Sequence, residues 1–419
     1  MIERLCSRFG IMNDELVKAA TRAYEYVREH RYDALGDVKA NVMEAFLETG
    51  INETDFAGST GYGYDDAARE AYERLIAKIF GAQRALARLS FVSGTHAIVT
   101  ALAACTPNGG TVLSVSGKPY DTLLNAITSA PYSLVEQGFR YEEIALPDDG
   151  PDYDAIAKAI EVLETGSVFI QRSRGYAPRR SLHVEQIERI CDLVHATCTD
   201  VPVLVDNCYG ELVESREPTH AGADLVMGSL IKNLGGTIAP AGAYVAGAGG
   251  LVERVAARLF APGLGDALGP TLGFGRAFIH GLFLAPLIVE QTLRGLDFIA
   301  ALFEQLGYRV DPLPCAPRTD IVQAIRLGNV ARLRAFAEGL QRALPVNARF
   351  RPEPGPVPGY VDPVIMSSGA FIGGATIELS CDAPLREPFD VYVQGGMIAE
   401  HSYLGALFAA DAVLATQGA

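Results

Sequence analysis

Lysine is scarce in this chain: six occur among thirty-five basic residues, against fifty acidic ones, in 419 residues. The formal net charge of −15 repels phosphate backbones, so nucleic acid is not an expected partner. Long apolar runs are missing as well, and without a stretch of about eighteen such residues no membrane span is expected. The start, Met1-Ile2-Glu3-Arg4-Leu5-Cys6, lacks a basic end followed by an apolar stretch. No signal peptide is therefore expected, and the expected compartment is the cytoplasm. Cys-x-x-Cys pairs are absent. The seven cysteines (Cys6, Cys105, Cys191, Cys198, Cys208, Cys315 and Cys381) are odd in number and scattered, which reads as reduced thiols packed as small apolar residues. Zinc spacing is absent, and no metal is expected.

What is present is an ordinary globular composition, 49% apolar and 20% charged, at a length that suits two packed domains or one large α/β domain with an appendage. Residues 1–50 read as helices with polar faces, an arm that packs either on a partner subunit or on its own domain. From 51 to 280, short apolar runs bounded by turn residues alternate with helical patterns. The runs are Gly110 to Val115, Ser167 to Gln171, Val201 to Val205, Ala223 to Gly228 and Ala241 to Ala246, with a helix such as Val184 to Thr197 between two of them. That alternation predicts crossover units and a mostly parallel, doubly wound sheet flanked by helices. Residues 281–419 read as a linker helix, around 281–305, and a smaller C-terminal α/β domain. The stretch Arg351 to Gly359 is a proline-rich loop.

One lysine stands in a setting that surface decoration does not explain. Lys232 lies in Gly228-Ser229-Leu230-Ile231-Lys232-Asn233-Leu234-Gly235-Gly236, twenty-six positions after Asp206, which closes the apolar run Val203-Leu204-Val205. In open parallel sheets ligands bind beyond the carboxyl ends of the strands, and successive strand ends arrive at about this interval. An acid ending a strand followed by Ser-x-x-Lys in a glycine-rich turn suits pyridoxal phosphate. The lysine attaches the cofactor, the carboxylate keeps its ring nitrogen protonated, and Ser229 with backbone amides takes the phosphate. Earlier in the chain, Ser93-Gly94-Thr95-His96 is a glycine turn opening a helix, whose free amides and dipole favour an anion. Each piece alone also has a plain reading: an N-cap for Ser93, a turn-making pair for Asp206-Asn207, a capping or snorkelling lysine for Lys232. Burial is expected to lower the amine's pKa and so to free it as nucleophile and base.

In their order these motifs resemble the fold-type I pyridoxal phosphate enzymes of the cystathionine and methionine gamma-lyase type. The nearer likeness is to a bacterial branch labelled aluminium-resistance proteins or methionine gamma-lyases. The likeness runs through Gly58-Ser59-Thr60-Gly61-Tyr62-Gly63-Tyr64-Asp65-Asp66, Phe91 to Ala97, Gly117 to Leu123, Gln171-Arg172-Ser173-Arg174-Gly175-Tyr176, Val205 to Gly210, Gly228 to Gly236 and Gly373 to Ser380. It implies Lys232 as the lysine that carries the cofactor, Asp206 as the partner of the pyridine nitrogen, and Gly94, Thr95 and Ser229 as phosphate ligands. Tyr120, twenty-six residues after Gly94, would stack on the cofactor ring and help to move protons. The family places a Tyr-x-Arg pair from a neighbouring subunit on the phosphate. This sequence has Tyr62-Gly63-Tyr64 there, without the arginine.

A substrate carboxylate needs a cation, and arginine's planar fork suits it; Arg386 is the first candidate and Arg174 the second. His96 reads as a helix-start residue. The resulting expectation is a carbon–sulfur lyase working by β- or γ-elimination on a methionine-, cystathionine- or cysteine-type substrate. Thiol, 2-oxo acid and ammonia would be released by a homodimer or homotetramer with sites at the subunit interface. An aminotransferase or another amino-acid enzyme on this scaffold, and a cofactor-binding protein with little turnover, remain as alternatives.

Overall fold

The computed structural model describes residues 1–416. Three helices open the chain: α1 (Ile2–Phe9), α2 (Asp14–Val27) and α3 (Asp33–Thr49). They are divided between two compact units, one of Ala34–Pro286 and one of Met1–Asp33 with Leu287–Ala419. The expected arm of residues 1–50 is thus split at about Asp33.

In the larger unit, α4 (Ala67–Ile79) is started by Asp66, whose carboxylate accepts the amide of Arg69 at 2.9 Å. Then follow β1 (Arg84–Arg88), α5 (Gly94–Cys105), β2 (Thr111–Ser114), α6 (Asp121–Thr128), β3 (Arg140–Glu143), α7 (Tyr153–Val162) and β4 (Thr165–Gln171). After them come α8 (Val184–Thr197), β5 (Val203–Asp206), β6 (Leu225–Ser229), β7 (Ala243–Gly247) and α9 (Gly249–Leu259). The seven strands form one sheet in the order β1-β7-β6-β5-β4-β2-β3. Strands β3, β2, β4, β5 and β6 are parallel, and β7 and β1 run antiparallel at one edge. The mostly parallel, doubly wound sheet is therefore present, with an antiparallel edge.

The inner strands are buried on both faces, which is why they read as continuous apolar runs rather than as alternation. Helix α5 packs on one face with Ala97, Ile98, Ala101 and Leu102 against Phe169, Leu204, Leu225, Met227 and Val245. Its alanines let the helix lie close to the sheet and bring its N-terminus near the strand ends. Helix α8 turns Val184, Ile187, Ile190, Cys191 and Val194 inward, a spacing of three and four that matches the helical period.

Helix α10 (Gly275–Gln305) contains Pro286, which cannot donate to the helix ladder and stands where the two units divide. The smaller unit continues with β8 (Arg309–Asp311), β9 (Val322–Arg326), α11 (Val330–Gln341), β10 (Pro354–Gly355), β11 (Val364–Ser367), β12 (Ser380–Pro384), β13 (Asp390–Gln394) and α12 (Ala399–Ala415). Its six strands form an antiparallel sheet in the order β10-β11-β12-β13-β9-β8. Gly339 of α11 allows close contact with α12, since a Cβ there would lie 2.4 Å from the carbonyl oxygen of Phe408. Helices α1 and α2 join this unit through ring contacts, Phe9 with Phe408 and Tyr24 with Tyr403, each at 6.0 Å between centroids. None of the described helices is long and apolar enough to cross a membrane.

Candidate active site

The carboxyl ends of β4, β5 and β6 lie side by side, with Gln171 in register with Asp206 and Asp206 in register with Met227. Asp206 is buried, and the amide of Cys208 donates to its Oδ1 at 3.1 Å. Burial pushes the carboxyl up from its ordinary value; the amide and thiol of Cys208 and the charges of Lys232 and Arg179 work against that. A cation brought against this carboxylate would be strongly favoured, which is the environment a protonated pyridine nitrogen needs.

Lys232 follows β6 and caps a short 3-10 turn, Asn233–Gly235, that ends on Gly236 in the left-handed region at φ 51°. Only glycine fits there, because a Cβ would lie 2.2 Å from the carbonyl oxygen of Gly281. Asn233 ties this turn to the loop after Asp206, donating through Nδ2 to the carbonyl oxygens of Tyr209 at 3.1 Å and Glu211 at 2.8 Å. Tyr209 takes the left-handed conformation at φ 70°, and the Nζ of Lys232 lies 3.6 Å from the centroid of its ring.

The expected fall in the lysine's pKa is not what this setting produces. Burial pulls it down, but Tyr209, Cys208 and Glu211 outweigh burial and lift it above the usual value. A sequence cannot register this, because all three groups reach the amine from the neighbouring strand-end loop.

The second wall is the start of α5. Ser93 is its N-cap, accepting the amide of His96 on Oγ at 3.1 Å. A Cβ at Gly94 would stand 3.3 Å from Sγ of Cys208 and 3.5 Å from Cβ of Ser229, so the helix terminus, the Asp206 loop and the end of β6 meet at this glycine. Thr95 Oγ1 and the Tyr120 hydroxyl share a hydrogen bond of 2.6 Å. The amide of Tyr120 donates to Oε1 of Gln171 at 2.8 Å, which fixes the tyrosine beside the strand that carries Gln171. His96 faces its own loop, accepting the amide of Val92 at 3.4 Å, and burial lowers its pKa. Ser93, Gly94, Thr95, Tyr120, Asp206, Ser229 and Lys232 thus belong to one connected set of strand ends and loops within the larger unit. Hydroxyls, helix amides, a buried carboxylate and an amine together form a donor set that fits pyridoxal phosphate.

Several supporting residues were not singled out from the sequence. Arg172, fully buried, donates to Oδ1 of Asn207 at 2.7 Å, the carbonyl oxygen of Gly210 at 2.9 Å and Oε2 of Glu214 at 2.6 Å, clamping the loop after Asp206. Arg179 donates to the carbonyl oxygens of Gln171 at 2.9 Å and Ser173 at 2.6 Å, and its charge reaches Asp206. Arginines closely spaced right after a buried strand were the available signal. Arg174 lies in the same loop, buried, its backbone amide donating to Oγ of Ser181 at 3.0 Å.

The Tyr62-Gly63-Tyr64 loop is pinned from behind. Asp66 accepts Ser59 Oγ at 2.6 Å and the amides of Ser59 and Thr271 at 2.9 and 2.8 Å. The two tyrosine rings nevertheless remain outside, 75% and 58% exposed. Arg386, in the smaller unit, follows β12 with its guanidinium 4.0 Å from Asp362. Also in the smaller unit, His30, Asp297 and Cys315 bring potential metal-ligand atoms within 4.8 Å of one another. Asp297 there accepts Tyr32 at 2.5 Å and Arg318 at 2.8 Å, so a guanidinium already neutralises it.

The protein family described as Methionine gamma-lyase matches residues 13–414. The chain belongs to that family. A similar protein, YnbB of Bacillus subtilis (strain 168), described as uncharacterized, is 40% identical over 381 residues, 90% of each chain. The crystal structure of a carbon-sulfur lyase involved in aluminum resistance from Clostridium novyi NT is 39% identical, with a TM-score of 0.91 over 98% of both chains. Cystathionine gamma-lyase from yeast, at 18% identity and a TM-score of 0.57 over 84% of this chain and 88% of that one, shares the fold.

Proposed function

We propose that this family member is a pyridoxal phosphate-dependent carbon–sulfur lyase that eliminates a thiol from a sulfur amino acid of the methionine, cystathionine or cysteine type. The observation that carries the reading is the joining of Lys232, Asp206 and the Ser93-Gly94-Thr95 helix terminus at one set of strand ends. Family membership supports the reaction class.

When bound, the cofactor would supply an electron sink that makes the substrate's Cα–H acidic. Lys232 would hold the cofactor covalently and, once released by the substrate amine, take the proton from Cα. The carboxylate of Asp206 would sit against the pyridine nitrogen. Ser93, Gly94, Thr95 and Ser229 would take the phosphate on hydroxyls and helix amides. The Tyr120 hydroxyl, oriented by Thr95 and by the Gln171 contact to its amide, would deliver a proton to the departing sulfur. Arg386 or Arg174 would receive the substrate carboxylate. The exposed Tyr62 and Tyr64, on a rigidly pinned loop, support a site completed by a second copy of the chain, in a homodimer or homotetramer.

Purified protein is expected to be yellow, with the colour fixed to Lys232 by borohydride and lost in Lys232→Ala. A preparation that stays colourless after addition of pyridoxal phosphate would overturn the cofactor assignment. Incubation with a panel of sulfur amino acids then tests the reaction: release of pyruvate marks β-elimination and of 2-oxobutyrate γ-elimination. Turnover that needs a 2-oxo acid acceptor would point to transamination instead.

A further inference from the structure

A buried acid tied to the turn of Lys232 is left unused by the reaction above. Glu211 is fully buried in the loop after Asp206 and accepts the hydroxyl of Tyr244 on Oε1 at 3.0 Å, while its Oε2 is enclosed without a partner. Tyr244 stands opposite Gly228 on the neighbouring strand. A Cβ at Gly228 would come 2.5 Å from Oε1 of Glu211 and 2.7 Å from the Tyr244 hydroxyl, so β6 runs past this pair just before it delivers Ser229 and Lys232. The backbone of Glu211 is tied to the lysine's own turn through Asn233. The acid is therefore fixed on both sides, by a side chain from β7 and by the turn that carries the amine.

We propose, building on the assignment of Lys232 as the cofactor lysine, that the Glu211–Tyr244 pair is its charge partner, with Glu211 ionised while the Lys232 nitrogen holds a proton and neutral when it does not. A lone buried charge is costly, and a carboxylate beside a protonated nitrogen avoids it, as does a carboxylic acid beside a neutral one. Burial raises the carboxyl of Glu211 to about 8, Glu217 adds to the rise, and its own backbone, Tyr244 and Lys232 oppose it. The other titratable groups facing this cluster are Cys208, Tyr209 and Asp206 on the strand-end loop and Glu217, itself held by Arg172 and Asn207. Glu217 has its own cation and amide donors. Glu211 has its own backbone amide and the Tyr244 hydroxyl but no arginine paired with it among the described residues, which leaves it the group free to follow the lysine's charge. It acts on the amine through its charge and is a positioning residue.

Two measurements on the full-length protein, the first with the cofactor loaded, test this. The first is the pH titration of the cofactor's absorbance in wild type, Glu211→Gln and Glu211→Asp. Without the carboxylate, Glu211→Gln is expected to lose the proton on the Lys232 nitrogen at lower pH by about one unit, a tenfold loss of proton affinity, with Glu211→Asp in between. The second is the infrared carboxylic-acid band of Glu211, assigned by its loss in Glu211→Gln and followed against pH in wild type and Lys232→Met. Removing the lysine is expected to move the band's midpoint upward, a readout that needs no cofactor. An unchanged midpoint in both measurements would overturn the proposal. If instead borohydride fixes no cofactor to Lys232 while the infrared midpoint still moves, the charge coupling stands and the cofactor assignment falls. Should Glu211→Gln fail to fold, Tyr244→Phe replaces it. That change takes a donor from the ionised carboxyl and is expected to shift the absorbance titration in the same direction by less; no shift would count against the proposal.

Discussion

The hydroxyls of Thr95 and Tyr120 lie 2.6 Å apart, joining the first turn of α5 to the segment that leads into α6. The bond links a residue proposed to hold phosphate with one proposed to hand a proton to sulfur. Tyr120→Phe keeps the ring and removes the acid. It is expected to retain the cofactor's colour while kcat for elimination falls by about 10²- to 10⁴-fold, the usual worth of general acid catalysis. Thr95→Val is expected to weaken cofactor binding more than Tyr120→Phe does, and equilibrium dialysis separates the two. Equal activity of Tyr120→Phe and wild type would remove the tyrosine from the chemistry.

Asp206→Asn keeps the shape of the strand end and deletes its charge. An opposite charge at close range shifts a pKa by about 1 to 3 units, so turnover is expected to drop by about 10- to 1,000-fold with the cofactor still attached to Lys232. Single-turnover rates with the protein fully loaded distinguish this from simple loss of cofactor.

Asp66 makes a prediction about acid stability. Burial alone would raise its carboxyl, but the hydroxyl of Ser59 and the amides of Thr271, Arg69 and Ser59 hold it at about 2, below the ordinary 3.8. Because the folded value is the lower one, its contribution is fully present above about pH 4 and lost as the pH falls toward 2. With allowance for screening that contribution is roughly 1–2 kcal/mol. Asp66→Asn is expected to lower stability by this amount at neutral pH and to show a smaller further loss in acid, as urea titrations at the two pH values would measure.

Two glycines separate binding from folding. Gly94→Ala places a methyl 3.3 Å from Cys208 Sγ and 3.5 Å from Ser229 Cβ, which needs only a small adjustment. Thermal stability is expected to change little while affinity for pyridoxal phosphate falls, because the methyl fills the junction at the helix terminus. Gly228→Ala drives a methyl into Glu211 and Tyr244 and is expected to cost about 1–3 kcal/mol of folding free energy. Calorimetry with and without added cofactor distinguishes the two cases.

Much of the larger unit could be read along the chain because its parts are local. The apolar runs for β2, β4, β5, β6 and β7 are short and bounded by turn residues, and α8 announces itself by its period. Strand β3, Arg-Tyr-Glu-Glu, was not legible, since an edge strand with little buried surface carries no apolar signal. The antiparallel edge of β7 and β1 was equally hidden, because strand direction depends on which strands pair and not on what each contains.

The sequence by itself determined which residues could carry the chemistry: an isolated lysine in a glycine turn, an acid at a strand end and a capped helix start at fixed spacing, each set by local backbone demands. Only the tertiary structure decided how those residues behave. It brought Tyr209, Cys208 and Glu211 around the amine of Lys232 and reversed the direction expected for its pKa. It also left Tyr62 and Tyr64 exposed on a pinned loop and set Arg172 beneath the loop after Asp206. Burial and charge are summed over neighbours distant in sequence, and no local pattern holds that sum.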